Sequence, residues 1–469
     1  MTAPTSPPPG SLGNLNPSQE AKLRDLWNLL LQSWDTNDTK PDGAAKSPTA
    51  SPDTPKTHRR FFSFSRSQPQ TTDDELSAIP PKMLASLKSL NTASSELKAV
   101  QSVLTQIHGD QLRAAYVSML KQDHPDSLLL RFLRAEKWDV PKAWLKLVRA
   151  LNWRVNEFRV DEDVLCKGEG YALDKERNGS GEERSFGAGF LVQLRTGKGH
   201  IHGVDAAGRP IVLIRARVHN PSDQTARSLN NYIVHSIETL RVTMVPPVET
   251  ITVVFDLTSF SMSNWDFPPV KFIIESFQEN YPESLGALIF YNAPWIFSGM
   301  WKLIQPILDP VVAAKVHFLN GAQALEKLIP QNRIVKELGG AEDWEYECIE
   351  PKPDEDDKLQ DTETRDAILA DRKKLADEFF NLTAEWISKP DGDDDSVNSS
   401  RDELIKKLRD NYWTLDPYVR ARSILDRTGV IKGQGEVDFY PEAGPKATNG
   451  QGEKGILDTN DAQFVEVAV

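Results

Sequence analysis

Eight histidines and two cysteines are the residues on which metal or nucleophilic chemistry could rest in this 469-residue chain. His200 and His202 are separated by one residue, and His235 follows later, but no third ligand completes a zinc set of familiar spacing. Cys166 and Cys348 build neither a zinc site nor a disulfide framework, and read as free thiols of a reducing compartment. No Gly-x-Ser-x-Gly elbow, phosphate-binding Gly-x-x-x-x-Gly-Lys loop or dinucleotide Gly-x-Gly-x-x-Gly turn occurs. The expectation is no catalytic set, no metal and no cofactor, hence not an enzyme. The chemistry left over is amphipathic. Arg59-Arg60-Phe61-Phe62-Ser63-Phe64-Ser65-Arg66-Ser67 interleaves basic and aromatic residues. It suits contact with an anionic bilayer or phosphorylation, the plain alternative being a sticky disordered stretch. Within Trp295–Leu308, the residues Phe297, Met300, Trp301, Ile304 and Leu308 form an apolar stripe at helical spacing, with Pro306 permitting a kink. Ile251, Val253 and Phe255 alternate with Thr252, Val254 and Asp256, which gives one strand an oily face.

These residues need elements to position them. A net charge of −13 argues against nucleic acid as a partner, without excluding a local basic patch. The N-terminus lacks a secretory pattern, and no apolar run is long enough to span a bilayer. The expected address is cytoplasmic, with peripheral membrane association. Residues 1–14 are Pro- and Ser-rich and read as a disordered tail, 15–34 as a helix with Pro17 in its first turn, and 35–77 as a disordered linker. Helical periodicity fills 78–158, with Asp126 or Ser127 as one N-cap and Asp139 as the next. Residues 172–188 are polar and Gly-rich and read as an inserted loop. From 189 to 350, β-branched runs at Ile211–Ile214, Ile251–Phe255, Ala287–Tyr291 and Val316–Leu319 alternate with helical stretches, so the class is α/β with a mostly parallel sheet. Residues 351–430 read as a C-terminal helical extension, and 431–469 as a tail without a core pattern.

The block 126–345 resembles the CRAL-TRIO lipid-binding family, of the fungal phosphatidylinositol-transfer type. The resemblance is carried by Leu130-Arg131-Phe132-Leu133-Arg134-Ala135 with Lys137-Trp138-Asp139, then Gly208-Arg209-Pro210, Asp256-Leu257 and Tyr281-Pro282-Glu283. Asn292-Ala293-Pro294, Leu308-Asp309-Pro310 with Lys315, and Leu338-Gly339-Gly340 follow in order. Gly13-Asn14-Leu15 with Gln19-Glu20 is similar to the family's first helix, and the segment from Tyr412 to Arg422 to the extension of one fungal branch.

The resemblance implies a helical N-terminal lobe, a mixed sheet flooring an apolar cavity for one lipid, and a helical gate that opens at membranes. A diacyl lipid of roughly 30 methylenes, at about 0.8 kcal/mol each, leaves a bilayer only for a dry enclosure, so a movable lid is required. Trp295–Leu308 is the expected gate. The family's inositol-phosphate site corresponds to Glu283 and Lys315. Its arginine position holds Glu136, whose carboxylate would repel a phosphate, and a hydroxyl position holds Val312. Glu283 and Lys315 could equally be a structural ion pair. The family's choline cage falls on Ile201, Val212, Ile251 and Val253, all apolar. With Phe255, Leu288 and Phe290 they should line an oily cavity, disfavouring phosphatidylcholine and admitting a sterol or isoprenoid beside phosphatidylinositol. The expected partners are the lipid, a membrane surface touched transiently and a protein reached through the C-terminal helices. The alternative function is a lipid-responsive regulatory module that presents lipid to a kinase or recruits a partner.

Overall fold

The computed structural model describes residues 7–34, 76–389 and 395–441. The Arg59–Ser67 segment lies outside the described residues. Helix α1 (Pro17–Trp34) begins the chain's helical lobe, followed by α2 (Pro81–Ser89), α3 (Ser94–Leu104), α4 (Gly109–Leu120), α5 (Pro125–Ala135) and α6 (Val140–Asn152). Asp139 caps α6 by accepting from the Lys142 amide. The cap of α5 is His124, whose ring accepts from the Asp126 amide, so neither Asp126 nor Ser127 is the N-cap. Asp126 is committed elsewhere: its buried carboxylate accepts from Trp27 Nε1 at 2.7 Å and Arg401 Nη2 at 2.8 Å.

Composition assigns residues 7–14 to a disordered tail, but they form turns that dock on the lobe. Gly10 is buried, its carbonyl accepts from Arg134 at 3.0 Å, and a Cβ there would meet the Trp138 ring at 2.9 Å. The supposed loop at 172–188 is instead a helical hairpin, α7 (Gly168–Asn178) and α8 (Gly181–Arg195). Phe186, Phe190, Leu191 and Leu194 give α8 a buried stripe. Gly187 lets the two helices touch: a Cβ there would sit 2.4 Å from the Ala172 carbonyl oxygen and 2.5 Å from the Glu176 nitrogen. Its glycine thus serves close helix packing rather than a turn. Gly187→Ala is expected to cost about 1–3 kcal/mol through this backbone clash. Urea denaturation measures it, and an unshifted midpoint would mean the hairpin separates freely.

The sheet comprises β1 (Gly199–Val204), β2 (Pro210–Arg215), β3 (Ile251–Asp256), β4 (Leu285–Tyr291) and β5 (Val316–Leu319), paired in that order. β1 runs antiparallel to β2, and the remaining pairs are parallel. β1 is absent from the apolar runs because its glycines and histidines interrupt them. The hairpin turn is held by Asp205, which accepts from Ala207 and Arg209 amides and from Thr252 Oγ1, while Gly208 takes φ +79°. Helices α9 (Ala226–Thr243) and α10 (Phe267–Glu275) cover one face. Helix α11 (Phe297–Ile304), the short α12 (Pro310–Ala313) and α13 (Ala322–Leu325) follow.

The C-terminal segment is part of the core. Helices α14 (Thr362–Ser388) and α15 (Asp395–Val419) pack as a hairpin against α1, with Phe379 and Phe380 edge-on or tilted to Trp27. Helix α15 starts at Asp395, within an acidic, serine-rich stretch of the extension. The apolar faces of both helices are spent on this chain's own lobe (Phe379, Trp386, Leu404 and Leu408 are all buried). After α16 (Ile424–Arg427), strands β6 (Ile431–Gly433) and β7 (Glu436–Val437) form a small hairpin. The stretch past 430 therefore does contribute to the core: Val430 and Ile431 bury against Tyr412 and Trp413.

Candidate functional site

The period-two pattern of the strands divides the sheet into two unlike faces. On one, Ile211, Leu213, Val254, Ile289 and Tyr291 pack solidly with Leu325, Ile334 and Leu338. The other borders a cavity of about 290 Å³ between the strands, α9 and α10. Ile201, Val212, Ile251, Val253, Phe255, Leu288 and Phe290 all line it. Cross-strand register brings Val212, Val253 and Leu288 side by side at its floor.

The apolar stripe is divided. Phe297, Ile304 and Leu308 line the cavity, whereas Met300 is buried beside it in the same cluster. Trp301 stands outside the cavity lining, edge-on to Phe290 at 5.5 Å and to Phe318 at 5.2 Å. The helix is shorter than its sequence pattern suggests, because Pro306 shifts its last turn to a 3-10 turn at Gln305–Ile307. Around it are exposed apolar side chains that sequence reading did not single out. Trp295 is 87% exposed, Leu303 58% and Phe318 49%. A stripe reading cannot find them, since it selects the buried face.

Glu283 and Lys315 precede β4 and β5, so both sit at the amino end of the parallel strands. Both line the cavity, and Lys315 Nζ is 3.3 Å from Glu283 Oε2. Glu283 holds φ +55°, a left-handed backbone costing about 1–2 kcal/mol for a side chain with a Cβ. Glu136 does not line the cavity: Lys146 Nζ holds its carboxylate at 2.8 Å, so the expected repulsion of a phosphate is neutralised. Arg134, inside the Phe-Leu-Arg-Ala string, is the basic group nearby. Burial pulls its guanidinium down, against the opposing pull of Glu249 and Glu283.

The three histidines singled out in the sequence, His200, His202 and His235, are packed or paired. His200 lies between Trp344 and Tyr346, and burial pulls its ring down to about 4, which keeps it neutral at pH 7. His202 stacks on Trp344 and meets Glu342 at 2.8 Å. His235 faces Glu169 at 3.3 Å. Glu169 also pairs with Arg427 and accepts from the Ile424 amide. Ser423, Ile424 and Leu425 complete the cavity wall, a contribution from the extension that no local motif announces. At the carboxyl end of the strands, Lys198, Gln193, His219 and Asp266 also line the cavity and were passed over in the sequence.

No helix among the described residues is long and apolar enough to cross a membrane. A family signature described as CRAL/TRIO domain matches residues 194–340, and one described as CRAL/TRIO, N-terminal domain matches residues 93–149. A CRAL-TRIO domain-containing protein of Schizosaccharomyces pombe is 35% identical over 434 residues, covering 90% of this chain and 92% of that protein. Phosphatidylinositol transfer protein CSR1 of Eremothecium gossypii is 34% identical over 441 residues, covering 90% and 98%. Phosphatidylinositol transfer protein PDR17 of Saccharomyces cerevisiae is 27% identical over 242 residues, covering 50% and 62%.

Proposed function

The chain belongs to the CRAL-TRIO family, and from that premise we propose that it carries one lipid on the inner face of its sheet and passes it between membranes. The observation that carries this reading is the hollow itself. It is lined chiefly by aliphatic and aromatic groups, and apolar surface left facing water forfeits roughly 25 cal/mol per Å². An apolar occupant recovers that loss by taking the wall out of water, which a polar ligand cannot do.

The gate follows from the same arithmetic. Phe297, Met300 and Ile304 are each buried, at about 1.5–3 kcal/mol apiece, so α11 cannot swing into water cheaply. Against a bilayer these side chains exchange one apolar surface for another, while exposed Trp295 and Leu303 leave water. Opening is thereby tied to membrane contact.

Phosphatidylinositol is supported by the names of the relatives and by the Glu283–Lys315 pair, a partly buried cation beside the cavity. The four apolar residues at the choline positions speak against phosphatidylcholine. A sterol or isoprenoid remains compatible with the oily wall. The test is lipid pick-up and vesicle-to-vesicle transfer by the full chain. Lys315→Ala is expected to lower phosphatidylinositol transfer by about tenfold to a hundredfold, the weight of a charge-assisted hydrogen bond, and leave a neutral lipid unaffected. An unchanged phosphatidylinositol rate would assign the cavity to neutral lipid. If the chain neither retains nor moves any lipid, the carrier reading fails.

One observation favours a lipid-responsive role alongside transfer. The extension both walls the cavity and is anchored by Arg427 to buried Glu169, so occupancy of the cavity bears on the position of residues 423–427.

A further inference from the structure

One wall of the cavity is built unlike the others. Every residue of α10 except Lys271 and Glu275 is apolar, yet none of its nine residues is buried. A helix this apolar is ordinarily buried all round. By contrast, α9 buries twelve residues, and α11 buries Phe297, Met300 and Ile304. The reason is a void on either side of α10. Pro269, Val270 and Ile273 line the lipid cavity. Lys271, Phe272 and Glu275 line a second depression, a groove whose far wall is Arg149, Asn152 and Trp153 of the helical lobe. At 3.6 residues per turn the two sets fall on opposite faces of the helix, and Ile274 borders both voids.

Helix α10 is held at its ends and loose between them. Before it, Asp266 Oδ2 meets His219 Nε2 at 3.2 Å, and Asn264 Nδ2 donates to the Arg217 and His219 carbonyls at 3.1 and 2.9 Å. After it, the chain passes through the π-helical turn Ser276–Asn280 to Tyr281, whose hydroxyl donates to Glu238 at 2.7 Å. Helices bend at such turns. Between these anchors Lys271 and Glu275 pair only with each other, at 3.2 Å, and among the described residues no side-chain hydrogen bond ties 267–275 to another element. Phe272 leans on Phe158, ring centres 6.0 Å apart. A shift toward the lobe presses Phe272 further into the groove beside Trp153 and takes apolar surface out of water. Moving α11 into solvent does the reverse, because it uncovers buried side chains.

Size supplies the need for such a shift. The cavity of about 290 Å³ is at the lower limit of the roughly 300–1,000 Å³ that enclose a drug-sized ligand, and a diacyl lipid has roughly 30 methylenes. We propose that α10 is an adjustable wall, which stays in place around a single-chain lipid and moves toward the helical lobe to admit the second chain of a diacyl lipid. This rests on the lipid-carrier reading and concerns which cargo the cavity takes. It adds a second moving part to α11, whose opening is tied to the membrane. Cargo then covers the face of α10 that the shift leaves bare.

The test uses the full chain, stripped of lipid, with dioleoyl phosphatidylinositol and its single-chain oleoyl lyso form, which share one headgroup. In the empty wild type, amides at 270–275 are expected to exchange with deuterium at least about tenfold faster than those at 234–242 of α9. Glu275→Trp places a bulky ring in the groove behind the helix. It is expected to weaken the diacyl lipid by about tenfold to a hundredfold and leave the lyso lipid unchanged. The lyso arm reports folding of the variant, and the exchange measurement needs no variant. Exchange at 270–275 as slow as in α9 overturns the proposal. So does a Glu275→Trp protein that binds the diacyl lipid normally, or that loses both lipids alike. A wild type that takes the lyso form but not the diacyl lipid refutes the moving wall and leaves a carrier of single-chain lipids. If neither inositide loads, the proposal fails, while a neutral lipid retained by the same protein keeps the carrier reading. If no lipid loads, both fall.

Discussion

Val253→Glu is expected to leave the purified protein without lipid cargo, a fall of at least about a hundredfold in retained lipid. Val253 lies in the middle strand, flanked by Val212 and Leu288, and all three line the cavity floor. A carboxyl group placed there must either remain ionised among hydrocarbon, at a cost of several kcal/mol, or be pushed up and held neutral. Either way it meets an acyl chain with an unpaired polar group. The neighbour Val254 points to the solid face and is fully buried, so a charge there should attack the fold rather than the cargo. Mass spectrometry of the co-purified lipid, with near-ultraviolet circular dichroism for tertiary packing, separates the two effects. Should Val253→Glu not fold, Val253→Thr keeps the shape and adds one hydroxyl, and about a tenfold loss is expected. Normal cargo in a folded Val253→Glu protein would mean that this strand face is not the binding floor.

Glu238→Ala is expected to destabilise the chain by about 3–5 kcal/mol. Glu238 is entirely buried on α9. Arg154 Nη1 approaches its Oε1 at 2.7 Å, Lys121 Nζ its Oε2 at 3.1 Å, Arg241 Nη1 its Oε1 at 3.4 Å, and the Tyr281 hydroxyl donates at 2.7 Å. Those partners come from the end of α4, the π-helical turn Trp153–Glu157, α9 itself and the Tyr-Pro-Glu turn before β4, so the carboxylate joins the helical lobe to the sheet domain. Removing it strands buried cations. Burial by itself would raise the Glu238 carboxyl, but Arg154, Lys121 and Arg241 together outweigh it and hold the group well below its ordinary range. A depressed value in the folded state means that the contribution is complete above the unfolded glutamate value and is lost as pH falls below it. Urea denaturation at neutral pH should therefore separate variant and wild type widely, and the gap should narrow in acid. A difference under about 1 kcal/mol at neutral pH would show that the cluster relaxes or hydrates instead.

Local pattern was informative where one period dominates. Ile251, Val253 and Phe255 faced the cavity as their alternation implied, and Asp139 with Pro141 marked the start of α6. It failed where composition imitates another state. Glycines at 179, 181, 187 and 189 read as a loop, yet Gly187 is the contact point of two helices. Met300 and Trp301 share a helical stripe with Phe297 and Ile304 but not the same surroundings.

The sequence by itself determined the α/β class, the order of the apolar strands β2 to β5 with their intervening helices, and which side of the central strands is oily, because these depend on periodicities within a dozen residues. Only the tertiary structure decided that Asp126 is a buried anchor for Arg401, that Lys146 disarms Glu136, and that residues 423–425 wall the cavity. Each of these depends on what partner arrives from far along the chain, and the free energy of a polar group is set by that partner rather than by its neighbours in sequence.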